Sequence, residues 1–162
     1  MRSAVIVAGG VSSRYGANKL AEPLFDGTVL TAAVDAFRGI ADEIVVVGAH
    51  VDGTIFAEGG DTRMQSVLNG LNAVSDGCDV VAVHDGARPF VSRALVERLF
   101  AEAERFGSAV PATPVTDTVW YVDDVSKKTI RRENLLAAQT PQEDFKRDIT
   151  LSGSNYVAYR GP

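Results

Sequence analysis

The run Val7-Ala8-Gly9-Gly10-Val11-Ser12-Ser13-Arg14-Tyr15-Gly16-Ala17-Asn18-Lys19 carries the densest set of chemistry-bearing residues in this chain. It follows an apolar stretch, residues 4–7, that reads as a buried first strand. A strand entering a Gly-Gly turn backed by Ser, Arg and Lys is suited to phosphates. Glycines let backbone N–H groups approach an anion with no Cβ in the way. Hydroxyls add donors, and Arg14 and Lys19 bring the charge a triphosphate requires. The pattern is neither a Gly-x-x-x-x-Gly-Lys-Ser/Thr loop nor a Gly-x-Gly-x-x-Gly fingerprint. Taken alone, a Gly-Gly turn with solvated charges behind it fits the same residues.

Four later motifs keep it company. Gly59-Gly60-Asp61-Thr62-Arg63-Met64-Gln65-Ser66 opens a helix, with the Gly-Asp-Thr step serving as its start. Val83-His84-Asp85-Gly86-Ala87-Arg88-Pro89 closes a strand. Pro114-Val115-Thr116-Asp117-Thr118 and Gln139-Thr140-Pro141-Gln142 follow. His84 occupies a strand position and reads as a buried, hydrogen-bonded histidine, and no His/Cys spacing suggests zinc. Arg88 reads as a supporting residue.

These motifs need a frame. Residues 4–7, 43–47 and 79–84 are short, nearly continuous apolar runs, as strands covered on both faces are. Helical periodicity appears between them at Val29, Leu30, Ala33, Val34 and Phe37, and again at Val67, Leu68, Leu71 and Val74. Another stripe, Leu95, Val96, Leu99, Phe100 and Ala103, follows Ser92, its expected N-cap. Such alternation predicts an α/β fold in three layers, with a mostly parallel, Rossmann-like sheet. Right-handed crossovers then bring the loops after the strands to one edge, where the 9–19 and 85–89 segments should meet. Only a handful of residues separate Val47 from the next β-type run, 54–57, whereas a parallel crossover takes a dozen or more. That run is therefore expected to be antiparallel or outside the sheet, unless a connecting helix is missing from the sequence. Residues 118–122 and 128–131 flank a polar turn and predict a hairpin arm, about 117–132. Its Trp120 and Tyr121 need a surface to cover, either a neighbouring subunit or the chain's own sheet.

At 162 residues the expectation is one domain, 1–162. The net charge of −5 argues against a nucleic-acid partner, and no run is long enough to span a membrane. No signal-peptide pattern opens the chain, and one cysteine, Cys78, forms no internal disulfide. Together these point to the cytoplasm.

In order and content, the five motifs resemble the 2-C-methyl-D-erythritol 4-phosphate cytidylyltransferases of the non-mevalonate isoprenoid route. The resemblance runs from the start of the chain to about Phe145. Beyond it the family's final strand with its Lys has no counterpart, since no Lys follows Lys146. The resemblance implies a nucleotidyltransferase that moves CMP from CTP to 2-C-methyl-D-erythritol 4-phosphate, with Mg²⁺. It implies that Arg14 and Lys19 are catalytic, on the β/γ- and α-phosphates. Ala8, Gly9, Gly10, Ser12, Gly60, Asp61, Ser66 and Asp85 would bind the nucleotide, Asp85 also holding the metal. Thr118, Arg132 and Thr140 would grip the acceptor, partly across a homodimer joined by the arm. Transfer to another polyol phosphate such as ribitol 5-phosphate, and nucleotide binding without turnover, remain the alternatives.

Overall fold

Alternate residues of Arg2–Val7 (β1) enter two different cores. Ala4 and Ile6 pack beneath Val29–Asp35 (α1) and Arg93–Phe106 (α3), whereas Val5 faces Arg63–Ala73 (α2). Side chains alternate across a strand, so a segment covered by helices on both sides must be apolar throughout. The computed structural model describes residues 1–9, 19–145 and 158–159.

Pro23–Leu24 (β2) and Gly27–Thr28 (β3) form a small separate ribbon ahead of α1. Glu43–Val47 (β4), Ile55–Ala57 (β5) and Val80–Asp85 (β6) complete the parallel half of the main sheet. Ser108–Pro114 (β7), Leu136–Ala138 (β10), Gln142–Phe145 (β11) and Ala158–Tyr159 (β12) complete the other half. Among the described residues Val119–Val122 (β8) and Lys127–Ile130 (β9) pair only with each other. The main sheet runs β10-β7-β11-β6-β1-β4-β5, with β12 parallel to β7. Strand β11 is wedged antiparallel between β6 and β7, which therefore point the same way.

The chain thus has the expected three-layer α/β arrangement, α1 and α3 on one face and α2 on the other. Of the two alternatives for residues 54–57, the antiparallel or out-of-sheet placement fails. Strand β5 belongs to the sheet and runs parallel to β4, with no helix between them. Its register explains how so short a link suffices: Ile55 pairs with Val45 and Ala57 with Val47. The loop needs to climb back over only the last few residues of β4, not a whole strand. Gly48 and Gly53, both at positive φ, let it reverse direction at each end.

Local chemistry starts each helix. Thr28 caps α1 in a reciprocal box with Thr31, Thr62 accepts from the Gln65 N–H at 3.0 Å, and Ser92 accepts from the Leu95 N–H at 3.2 Å. The arm's turn is organised by Asp123. Its carboxylate accepts from the Val125 and Ser126 N–H groups, and these bonds hold its pKa below the usual carboxylate range.

Helix α2 approaches the sheet most closely at Gly70. A Cβ there would lie 2.4 Å from Val5 Cγ1 and 2.8 Å from Val47 Cγ2, both stiff β-branched side chains. In an exposed helix Gly→Ala stabilises by about 1 kcal/mol. Here overpacking outweighs propensity, and Gly70→Ala is expected to destabilise by about 1–3 kcal/mol. A urea midpoint that rises in this variant would contradict the close packing.

Candidate functional site

Strand register brings the first and third motifs together. Val7 stands opposite Asp85 in the β1–β6 pairing, and the Gly86 N–H donates to Val7 O at 3.0 Å. The 8–9 and 85–88 turns therefore leave the carboxyl edge of the sheet side by side, where ligands of parallel α/β sheets bind. On the other flank of β1, the Ala8 N–H donates to Val47 O at 2.9 Å.

Three glycine backbones crowd this edge. A Cβ on Gly48 would fall 2.6 Å from Gly9 Cα, and one on Gly9 would fall 3.1 Å from Gly59 Cα. Gly48 also has a φ of 84°. The result is a floor of bare backbone, against which a flat ring or a phosphate can lie without a side chain intervening. Next to it, Ser66 is fully buried. Its Oγ accepts from the Gly60 N–H at 3.0 Å and donates to Thr62 O at 3.1 Å. Ser66 thereby fixes the turn that presents Gly60 and Asp61, while its hydroxyl is engaged within the protein. Gly60 itself has no room for a side chain, since a Cβ would meet Gln65 Cβ at 2.5 Å. Asp61 is exposed at the mouth.

Asp85 lies between two arginines. Arg63, the first residue of α2, donates through Nε at 3.1 Å and Nη2 at 2.9 Å to Oδ1, while Arg88 Nε approaches Oδ2 at 3.3 Å. Arg88 is held a second time by Gln139 Oε1, at 2.6 Å from Nη1. Beneath them His84 is completely buried. Because a carbonyl only accepts, Nε2 must carry the proton that it donates to Arg88 O at 3.0 Å. Among the described residues its Nδ1 has no partner, and its ring packs on Phe37 with centroids 5.3 Å apart. Burial pushes the imidazole pKa below its ordinary value, against the opposing pull of the Arg88 carbonyl and Asp85.

Lys19 is exposed at the start of the 3₁₀ turn Lys19–Ala21. Gly10, Ser12 and Arg14 lie outside the described residues. The three expected acceptor residues divide into two places. Thr118 and Arg132 line a cavity of about 650 Å³ at the base of the arm, where Arg132 Nη1 also donates to Thr116 O at 2.7 Å. Thr140 lines a second cavity, of about 410 Å³, with Arg88 and Pro89, and its buried Oγ1 has no hydrogen-bond partner.

Sequence reasoning assigned no role to Arg63, Gly48 or Gln139. Arg63 carried a readable signal, a cation in the first turn of a helix whose dipole favours anions. Gly48 and Gln139 gained their partners only through folding. Among the described residues no three His, Cys, Asp or Glu side chains group as metal ligands. The carboxylate of Asp85 at the sheet edge is the donor type that a hard cation such as Mg²⁺ takes, since that ion binds through one or two carboxylates, phosphates and waters.

The family profile for 2-C-methyl-D-erythritol 4-phosphate cytidylyltransferase matches residues 3–157, past the point where the motif resemblance ends. A protein of that name from Clostridium novyi is 40% identical over 78% of this chain and 55% of its own length. Another, from Desulforamulus reducens, is 37% identical over 98% of this chain and 76% of its own. The chain thus spans only about half the length of the first of these relatives. The crystal structure of the Thermus thermophilus enzyme superposes with a TM-score of 0.71 at 37% identity, covering 88% of this chain and 70% of that one.

His84 makes stability pH-dependent in a defined direction. Its folded pKa lies below the unfolded value of about 6.5, so on acidification the unfolded chain takes up a proton that the folded chain refuses. Stability is therefore expected to fall as pH drops from about 6.5 toward the depressed folded value. His84→Gln, which retains an N–H for Arg88 O, should flatten that part of the profile. Denaturant titrations between pH 7.5 and 5 check this, and identical slopes in the two proteins would contradict it.

Proposed function

This chain belongs to the 2-C-methyl-D-erythritol 4-phosphate cytidylyltransferase family, and from that premise we propose that it transfers CMP from CTP to 2-C-methyl-D-erythritol 4-phosphate. The observation that carries the reading is the β1–β6 register, which sets the Gly9 turn beside Asp85 at one sheet edge. In the proposed reaction a phosphate oxygen of the acceptor attacks the α-phosphorus of CTP in line. The new P–O bond forms as the bond to the β-phosphate oxygen breaks, and pyrophosphate leaves. No covalent protein intermediate is needed. The protein's task is positioning and stabilising charge on the phosphoryl oxygens.

Each residue has a part in that proposal. Lys19 holds the α-phosphate and Arg14 the β- and γ-phosphates. Backbone at Ala8, Gly9 and Gly60, with Asp61, receives the cytosine ring on the bare glycine floor, while Gly10 belongs to the nucleotide-binding turn and Ser12 donates to phosphate. Ser66 acts through Gly60, which it holds. Asp85 would hold Mg²⁺, which when bound neutralises phosphate charge. Thr118 and Arg132 approach the acceptor from the arm and Thr140 from the sheet edge. Because those residues line separate cavities within one chain, a second copy supplying the arm completes the grip. The arm suits that role. It makes no strand pairing with the main sheet and exposes Trp120, Tyr121, Val122 and Val125. A cytoplasmic setting belongs to the same proposal. Among the described residues no helix is long and apolar enough to cross a membrane.

Pyrophosphate release should require CTP together with 2-C-methyl-D-erythritol 4-phosphate, and should fail with ATP, GTP or UTP. Faster turnover with ribitol 5-phosphate would reassign the acceptor, and saturable CTP binding without turnover would refute the transferase reading. Arg14→Ala and Lys19→Ala should each lower kcat by about 10²–10³-fold, whereas Arg132→Ala should mainly raise the acceptor KM. Sedimentation at micromolar concentration should give a dimer, which Trp120→Asp combined with Tyr121→Asp converts to monomer. A dimer indifferent to that pair of changes would remove the arm from the interface.

A further inference from the structure

Arg63 occupies an unusual place for a cation. It is the first residue of α2, directly after the Thr62 cap, in a first turn with no acidic residue. The partial positive charge of a helix N-terminus disfavours a guanidinium there by a few tenths to about 1 kcal/mol. Its compensation is Asp85, which receives both Nε and Nη2 on one oxygen. The two arginines around this carboxylate are not equivalent. Arg88 is pinned from behind by Gln139, and its backbone carbonyl is tied to His84. Among the described residues Arg63 has Asp85 alone as its polar partner; the side chains of Arg63 and Arg88 are similarly exposed, 55% and 49%, so the difference between them lies in their partners. One arginine is built in, and the other is free to leave.

The atom Arg63 covers, Oδ1 of Asp85, is on the carboxylate that a divalent cation would need. A cation arriving alone would have to displace Arg63 and leave its charge unpaired at a helix N-terminus. A triphosphate arriving alone would draw Arg63 away and leave Asp85 facing phosphate oxygens. Only the two together give every charge a partner, the cation on Asp85 and the phosphate on Arg63.

We propose that Arg63 is an exchangeable counter-ion for Asp85 that makes the site accept a divalent cation and a triphosphate jointly. One ion pair is broken and two are formed. Arg63 is thus a positioning and specificity residue rather than a catalytic one. The inference rests on the proposed assignment of the metal to Asp85.

Mn²⁺ is the probe, its free concentration read by electron paramagnetic resonance, with and without CTP and with no acceptor present. Arg63→Met should bind Mn²⁺ without nucleotide at least about fivefold tighter than the parent protein, and CTP should tighten Mn²⁺ binding less in the variant than in the parent. If Arg63→Met binds Mn²⁺ alone no better than the parent, the exchange is overturned. Should that variant lose its cooperative thermal transition, Arg63→Gln supplies the same comparison. Asp85→Asn separates the two levels of inference. Loss of Mn²⁺ binding in Asp85→Asn with an unchanged Arg63→Met defeats the exchange alone. Undiminished Mn²⁺ binding in Asp85→Asn defeats the metal assignment on which it rests.

Discussion

The close approach of backbone at Gly9, Gly48 and Gly59 is the constraint on which the rest of this edge depends. Strand β1 lies between β4 and β6, and its exit turn must pass between the exits of both. Gly48 leaves β4 at positive φ with its Cα against Gly9, and Gly59 closes the same corner from the chain after β5. Any Cβ at Gly48 would push the first turn away from the sheet. That displacement would carry with it the Ala8 N–H bond to Val47 and the alignment of Gly86 with Val7. Close packing here also sets the position of α2. Its own glycine, Gly70, lets the helix rest on Val5 and Val47, directly below the turn it helps to form.

From this backbone frame the electrostatics follow. In a chain carrying a net charge of −5, two arginines are gathered locally around Asp85. Arg63 comes from the start of α2 and Arg88 from the turn after β6, with Gln139 steadying Arg88 from the chain before β11. Two arginines thus reach one carboxylate, and a third segment holds one of them in place. His84 links this layer to the core beneath, because its single donated bond holds the carbonyl of Arg88 while its ring is packed on Phe37. A charged imidazole would keep that bond but carry an uncompensated charge into the core, which is why burial and a depressed pKa occur together here.

The arm obeys a different logic. Its two strands satisfy each other's backbone groups, and Lys127 and Lys128 cover the rings of Trp120 and Tyr121 at 4.4 and 5.1 Å. That cover is partial, and Val125 remains 96% exposed. Thr118 and Arg132, at the foot of the arm, do not share a cavity with Thr140. Within one chain the residues assigned to the acceptor therefore remain two half-sites.

Much of this was written in local sequence. Apolar runs without alternation identified β1, β4 and β6 as strands covered on both faces, because only such strands exclude polar residues at every position. Thr62 and Ser92 announced the starts of α2 and α3, since a cap acts on the next turn and needs no distant partner. The glycines ahead of α2, and the placing of Asp85 at the end of a strand, are legible for the same reason. What sequence left undetermined depended on register between segments far apart in the chain. The length of the β4–β5 link does not by itself give the direction of β5, because pairing begins only at Val45 and Ile55 and a short loop can then serve a parallel strand. Sequence marks Ser66 only as part of a motif, and tertiary packing decides that its hydroxyl bonds Gly60 and Thr62. Arg63 stood in plain view within a motif, but its partner lies 22 residues away on another strand. Local sequence determines which backbone shapes are affordable; which charges meet is decided only when the sheet sets its register.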